Sequence, residues 1–324
     1  MQGSVRFGHG DLLRSCGAKA TRKGPANGDA LPADLAFGVG WMQVREPMSD
    51  KDSASQQEIS QDVIARAQRG ERAAVTQLFG DHLGTVHRFA LRMCRDEDRA
   101  RDIAQESLLT ALKSLDSFRG DASFSTWLFT ITRSHCGRLR RRSERETVSD
   151  DGEVVTDTAV SDEPLPDAQA AHGEVSAVVE EALGALDPED REVVLLRDVE
   201  GLSTKEAAEA LQISVAALKS RLHRARATLR EAVRGVVEQQ AERVDPRCPQ
   251  VIEAFSRKLE GDLSETDCEA FQQHITDCPD CARRCESIQA VLGACATLRT
   301  HPITTDVQGI IDRTVAAYRD STKS

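Results

Sequence analysis

Aromatic side chains are scarce in this sequence: Phe, Tyr and Trp together make up 4% of 324 residues. So little ring surface argues against a large β-rich core. Long apolar runs are missing too, and nothing approaches the ~20 consecutive apolar residues of a membrane span. The N-terminus shows no basic stretch followed by an apolar segment, so a secretory signal is not expected and a cytoplasmic location is. Neither an H-E-x-x-H array nor a Ser/His/Asp arrangement is present, and the chain does not read as an enzyme. What is abundant is Leu, Ala, Arg and Glu, which favour helices. The expected fold class is all-α, in two or three small domains.

Acids outnumber Lys and Arg, 53 to 42, for a formal net charge of −11. Against that background residues 201–230, GLSTKEAAEALQISVAALKSRLHRARATLR, concentrate positive charge. Ala207, Ala208 and Leu211 fall on one face of a short helix. Gln212-Ile213-Ser214 breaks the pattern, and Ser214 is placed to cap a second helix. That helix is expected to bury Leu218, Leu222, Ala225 and Leu229. Its other face carries Lys219, Ser220, Arg221, His223, Arg224 and Arg226. The layout is that of a helix-turn-helix whose second helix meets a DNA major groove. A solvated helix face usually alternates charge sign, and this one has little acid before Glu231.

Nine cysteines in a non-secreted chain argue for thiols or metal ligands rather than a disulfide framework. Six of them lie between Cys248 and Cys295. His274, Cys278 and Cys281 form an H-x3-C-x2-C array, and Cys248 can complete a tetrahedral set once the chain folds back. Thiolates with an imidazole suit Zn²⁺, and Cu⁺ fits as an alternative soft ion. Cys268 could take the place of Cys248. Cys268, Cys285 and Cys295 read as extra thiols, either redox partners of the ligands, a softer second metal set, or core residues. Cys94 and Cys136 read as core. A zinc site here is either structural or sensing. With four protein ligands it leaves no position for a substrate, which argues against a metalloenzyme.

Residues 98–142, DRARDIAQESLLTALKSLDSFRGDASFSTWLFTITRSHCGRLRRR, resemble region 2 of bacterial sigma factors of the extracytoplasmic-function (ECF) group. The features are Asp102, Gln105 and Glu106 on one helix, then Phe118-Arg119-Gly120, then Phe124-Ser125-Thr126-Trp127-Leu128 leading to a basic helix end. Residues 183–230 resemble region 4 of the same group. The Cys block is similar to zinc-binding anti-sigma domains, here fused behind the sigma regions. The resemblance implies that Asp102, Gln105 and Glu106 dock on the β′ clamp helices of RNA polymerase core. It implies that the loop from Phe118 to Ser125, with Arg133 and Ser134, reads the −10 element, and that Lys219, Ser220, His223 and Arg224 face −35 bases. Arg221 and Arg226 then lie nearer phosphates.

The residues agree with that assignment. From Phe118 to Arg145 there are seven Arg and two acids. Arg133, Arg138, Arg140, Arg141 and Arg142 can neutralise phosphates, Arg119 joins the DNA-binding candidates, and the neighbouring Phe118, Phe124 and Trp127 offer rings for unstacked bases. The same rings can instead be core, and for Trp127 core is the expectation. The expected organisation is an N-terminal extension over 1–57, with a start site near Met48 as one option. A region 2 block follows over 58–145, then an acidic linker over 146–174, a region 4 block over 175–236, the zinc block over 247–299 and a helical tail over 300–324. The tail is expected to touch the sigma blocks and modulate them, and no membrane partner is expected. The alternative is a helix-turn-helix regulator with a structural zinc site and no polymerase role.

Overall fold

The computed structural model describes residues 61–146, 174–237, 248, 250–300 and 309–310. All of its regular structure there is helical. The described residues divide into two units, one of 61–146, 174–237, 285–300 and 309–310, the other of 248 and 250–284. The expected N-terminal extension, the start near Met48 and the acidic linker lie outside the described residues. So does the expected helical tail over 300–324, apart from Thr300, Gly309 and Ile310.

In the larger unit a helical stretch over 61–68 leads into α1 (Arg72–Cys94), α2 (Glu97–Lys113) and α3 (Phe124–Glu146). Arg95, at φ 54°, ends α1 in the left-handed region, and its N–H closes onto the Leu91 carbonyl at 2.7 Å. Asp96 then caps α2 by accepting from the Arg99 N–H at 2.8 Å, satisfying one of the orphan donors of a helix start. The expected helix from Trp127 begins earlier, at Phe124, because Ser123 accepts from the Thr126 N–H at 3.2 Å. Leu78, Phe79, Leu83, Leu108, Leu112 and Leu128 are buried together between these helices.

The unit continues with α4 (Glu174–Ala185), α5 (Pro188–Val194) and a wider π-helical turn, Leu195–Val199. Helices α6 (Thr204–Leu211) and α7 (Val215–Val237) follow. Ser203 and Glu206 form a reciprocal capping box on α6. Gln212, at φ 55°, makes the turn, and Ser214 accepts from the Ala217 N–H at 3.1 Å. Leu218, Leu222, Ala225 and Leu229 are fully buried, so the apolar stripe read from the sequence is the one that packs.

Helix α10 (Pro279–Leu298) contributes Val291, Ala294, Cys295 and Leu298 to a cluster that also holds Phe89 and Phe129 of the first three helices and Leu183, Leu196 and Leu222. Ile310 is buried in the cluster around Leu78 and Leu128. The smaller unit contains α8 (Val251–Leu259) and α9 (Glu265–Asp277), whose Phe255 and Phe271 rings lie 6.3 Å apart. Among the described residues no helix is long and apolar enough to cross a membrane.

Candidate nucleic-acid interface and metal centre

Helix α3 is the source of the first basic surface. Arg133, Arg138, Arg140 and Arg141 project from successive turns and, with Ser134, Gly137 and Glu192 of α5, line a cleft of about 460 Å³. Ser134, Arg138, Arg140 and Arg141 are exposed, and Arg133 is partly so. Arg133 Nε donates to Glu192 Oε2 at 2.8 Å.

The aromatic group at the start of α3 is tightly packed. Phe118 lies 5.2 Å from Trp127 and 5.6 Å from Phe124, centroid to centroid. Phe124 also meets Phe79 edge-on at 5.8 Å and is 4% exposed. Its ring is therefore core, because the Ser123 cap starts α3 with Phe124 pointing inward; it does not present a face for a base. Phe118 and Trp127 are half-buried, and Arg119 is exposed. Gln68 donates to the carbonyls of Leu115 and Phe118 at 3.0 and 2.9 Å and fixes the loop before α3.

On α2, Asp102 and Glu106 are exposed and Gln105 is half-buried. His135 of α3, 7% exposed, holds Glu106 through Nδ1 at 2.9 Å and Thr110 through Nε2 at 3.1 Å. Burial holds the His135 pKa below its ordinary value, against the pull of Glu106.

On α7, Ser220 and Arg224 are exposed, while Lys219, Arg221 and His223 are half-buried. Arg221 pairs with Glu189 at 2.6 Å and Arg224 with Asp190 at 3.3 Å. Arg226 is placed differently from its neighbours. It is 2% exposed and grips Asp198 of the π-helical turn with two hydrogen bonds of 2.8 and 2.6 Å. The expectation that it lies near phosphates is corrected: it is an interior strut tying α7 to the turn after α5. The sequence carried the signal, since Arg226 falls four after Leu222 and three before Leu229, on the buried stripe.

Sequence reasoning missed the contacts between the two helical blocks. Arg92 of α1 pairs with Glu180 of α4 at 3.1 Å, their side chains 5% and 11% exposed. Arg92 also donates to the Leu298 carbonyl at 3.2 Å. Arg191 of α5 donates to the Met93 carbonyl at 3.2 Å. Partners this distant in the chain leave no local pattern.

In the smaller unit Cys248, His274, Cys278 and Cys281 converge, with their ligand atoms all within 4.8 Å of one another. Cys248 and Cys278 sulfurs are 3.9 Å apart. Two thiolates bound at ~2.3 Å to a tetrahedral ion lie roughly 3.8 Å apart, so the spacing fits. His274 Nε2 is buried with no hydrogen-bond partner, which a metal would supply. The cluster takes Cys248 rather than Cys268. In the larger unit, Cys285 and Cys295 are buried. Burial pushes the Cys295 thiol far up, which keeps it protonated and inert. Cys136 is buried as expected, and Cys94 is half-buried beside it.

Three family models match the chain: "Sigma-70 region 2" over residues 78–146, "Sigma-70, region 4" over 176–229, and "Putative zinc-finger" over 248–282. The RNA polymerase sigma-H factor of Pseudomonas aeruginosa is 30% identical over 56% of this chain and 98% of its own length. The ECF RNA polymerase sigma factor SigM of Mycobacterium tuberculosis is 34% identical over 52% of this chain and 81% of its own. A solved complex of the sigma factor RpoE with the anti-sigma factor NepR from Bartonella quintana aligns at a TM-score of 0.41 and 27% identity, covering 52% of this chain and 98% of that one. With both sigma regions in order and these two relatives matched over 98% and 81% of their own length, this chain belongs to the ECF family of RNA polymerase sigma factors and carries a zinc-finger domain behind region 4.

Proposed function

We propose that this chain binds core RNA polymerase and directs it to promoters whose −10 and −35 elements it reads with α3 and α7. The observation that carries the reading is the pairing of a four-arginine cleft on α3 with a separately capped helix-turn-helix. A duplex-only regulator has no use for the first of these. The exposed arginines neutralise phosphates and give salt-sensitive affinity. Phe118 and Trp127 retain enough exposed ring to stack an extruded base, and Ser220 and Arg224 face the groove. Asp102, Gln105 and Glu106 form the polymerase-docking face, with His135 fixing the direction of Glu106.

Cys248, His274, Cys278 and Cys281 would hold Zn²⁺ in the smaller unit. Bound there, the ion supplies a closed tetrahedral cross-link rather than a reactive position. It replaces a core too small to stand alone. The C-terminal segment acts on the sigma regions directly: Val291, Ala294, Cys295 and Leu298 share a core with both of them, and Ile310 enters the region 2 core. That sharing supports a modulating tail.

The experiment is capture of core polymerase by the purified full chain. Retention that is lost on Glu106→Lys supports the reading, and no retention by the unaltered chain overturns it. For the tail, Ala294→Asp in the full chain is expected to raise core binding. Unchanged binding by the folded variant contradicts the modulating role.

A further inference from the structure

Region 2 holds two cysteines, Cys94 and Cys136, and neither belongs to the metal cluster. Cys94 is the last residue of α1, just before the left-handed Arg95. Cys136 lies in the middle of α3. The two side chains meet across the helices, where the Cys136 thiol donates to the Cys94 sulfur. Cys136 is 6% exposed, and Cys94 is half-buried, open to solvent on one side.

The two sulfurs are chemically unequal. The hydrogen bond from Cys136, followed by the charges of Arg99 and Arg191, holds the Cys94 thiol below its ordinary range, against burial and Asp96. Its partner moves the other way, because giving its proton to Cys94 and lying in the core both raise Cys136. Arg191 is fixed beside Cys94 by its own hydrogen bonds. It donates to the carbonyls of Met93 and Arg92 at 3.2 and 3.4 Å, and to that of Leu186 at 3.0 Å. A half-buried thiol flanked by cations, in contact with a second thiol, has the layout of a nucleophilic cysteine with its resolving partner. Cys295, by contrast, is fully buried, and burial raises its thiol.

We propose that Cys94 and Cys136 form a reversible disulfide inside region 2, with hydrogen peroxide as the oxidant. The Cys94 thiolate attacks one peroxide oxygen. An S–O bond forms, the O–O bond breaks, and the departing hydroxide takes up a proton to become water. Cys136 then attacks the sulfenic sulfur, so that the S–S bond forms, the S–O bond breaks and a second water leaves with the Cys136 proton. The two thiols lose two electrons and two protons, and one peroxide gains them. Because the sulfurs already touch, closing to a bond of ~2.05 Å needs no rearrangement of the helices. The bond ties the end of α1 to α3, the helix that carries Arg133 and Arg138, and closes a loop containing all of α2. The pair works without the zinc cluster and does not depend on the sigma reading.

The test treats the zinc-loaded full chain with a molar excess of hydrogen peroxide, blocks remaining thiols by alkylation and digests with trypsin. The expected product is peptide 93–95 joined to peptide 134–138 and separated again by dithiothreitol. Recovery of both peptides fully alkylated overturns the pair, and so does Cys94 joined to any other cysteine. Cys136→Ser should strand Cys94 as a sulfenic acid that dimedone captures. Capture at Cys136 in Cys94→Ser, with none at Cys94 in Cys136→Ser, overturns the assignment of the nucleophile. Amide exchange over 124–146 should be slower in the oxidised chain than in Cys94→Ser treated identically, and equal exchange overturns the tether. None of these readouts uses polymerase or DNA, so failure of the sigma reading would leave them unchanged.

Discussion

Arg226 and Asp198 form a two-pronged ion pair in the interior of region 4, with side chains 2% and 3% exposed. The pair binds the middle of α7 to the π-helical turn that follows α5. Removing one partner of such a pair leaves a buried charge uncompensated and costs about 3–5 kcal/mol. Asp198→Ala should therefore lower the thermal midpoint of the larger unit by several degrees. Arg226→Lys should do so too, because an ammonium cannot reproduce the fork. Scanning calorimetry of the full chain checks both.

Arg224 gives the opposite signature. It is exposed and its partner Asp190 is a near neighbour. Arg224→Ala should leave stability within about 0.5 kcal/mol but reduce the salt slope of duplex binding by about 1. A slope that moves with Arg226→Ala and not with Arg224→Ala would reverse the assignment of these two residues.

His87 makes stability depend on pH. It is 3% exposed, and burial, followed by the charges of Arg101, Arg88 and Arg92, pushes its pKa down to about 4 despite Glu97 at 3.3 Å. The unfolded chain takes up this proton near pH 6.5, before the folded one does. The contribution is thus complete above about 6.5 and lost as pH falls toward 4, on the order of 3 kcal/mol. His87→Gln should flatten the denaturation midpoint in that window, measured in urea at half-unit pH steps.

Metal removal tests the smaller unit. Chelation should release one zinc per chain and loosen α8 and α9, because the Cys3His cluster ties Cys248 to the end of α9. Titration with a zinc indicator, followed by hydrogen exchange of 250–277, checks it. Cys281→Ser should abolish the stoichiometry, and Cys295→Ser should not, since that thiol is buried in the larger unit.

How much of this was legible depended on the distance over which each feature is encoded. The helix-turn-helix was readable because its cap, turn and stripe all lie within residues 203–229, and the metal set because His274, Cys278 and Cys281 share one turn and its flank. Phe124 and Arg226 are harder to place from sequence: a ring near arginines suits a base or a core equally, and Arg226 lies on the apolar stripe of an otherwise basic helix. The pairs Arg133–Glu192 and Arg92–Glu180 were not legible at all. Each is an ordinary surface charge in its own helix, and only the packing of one block on the other turns it into a contact.

The central claim, that this chain places RNA polymerase on promoters, is tested most directly by mapping RNA 5′ ends made from fragmented genomic DNA by core polymerase with and without the purified chain. The account predicts discrete new starts that require the chain and are lost with Arg133→Ala or Arg224→Ala. Identical 5′ ends with and without the chain would contradict it.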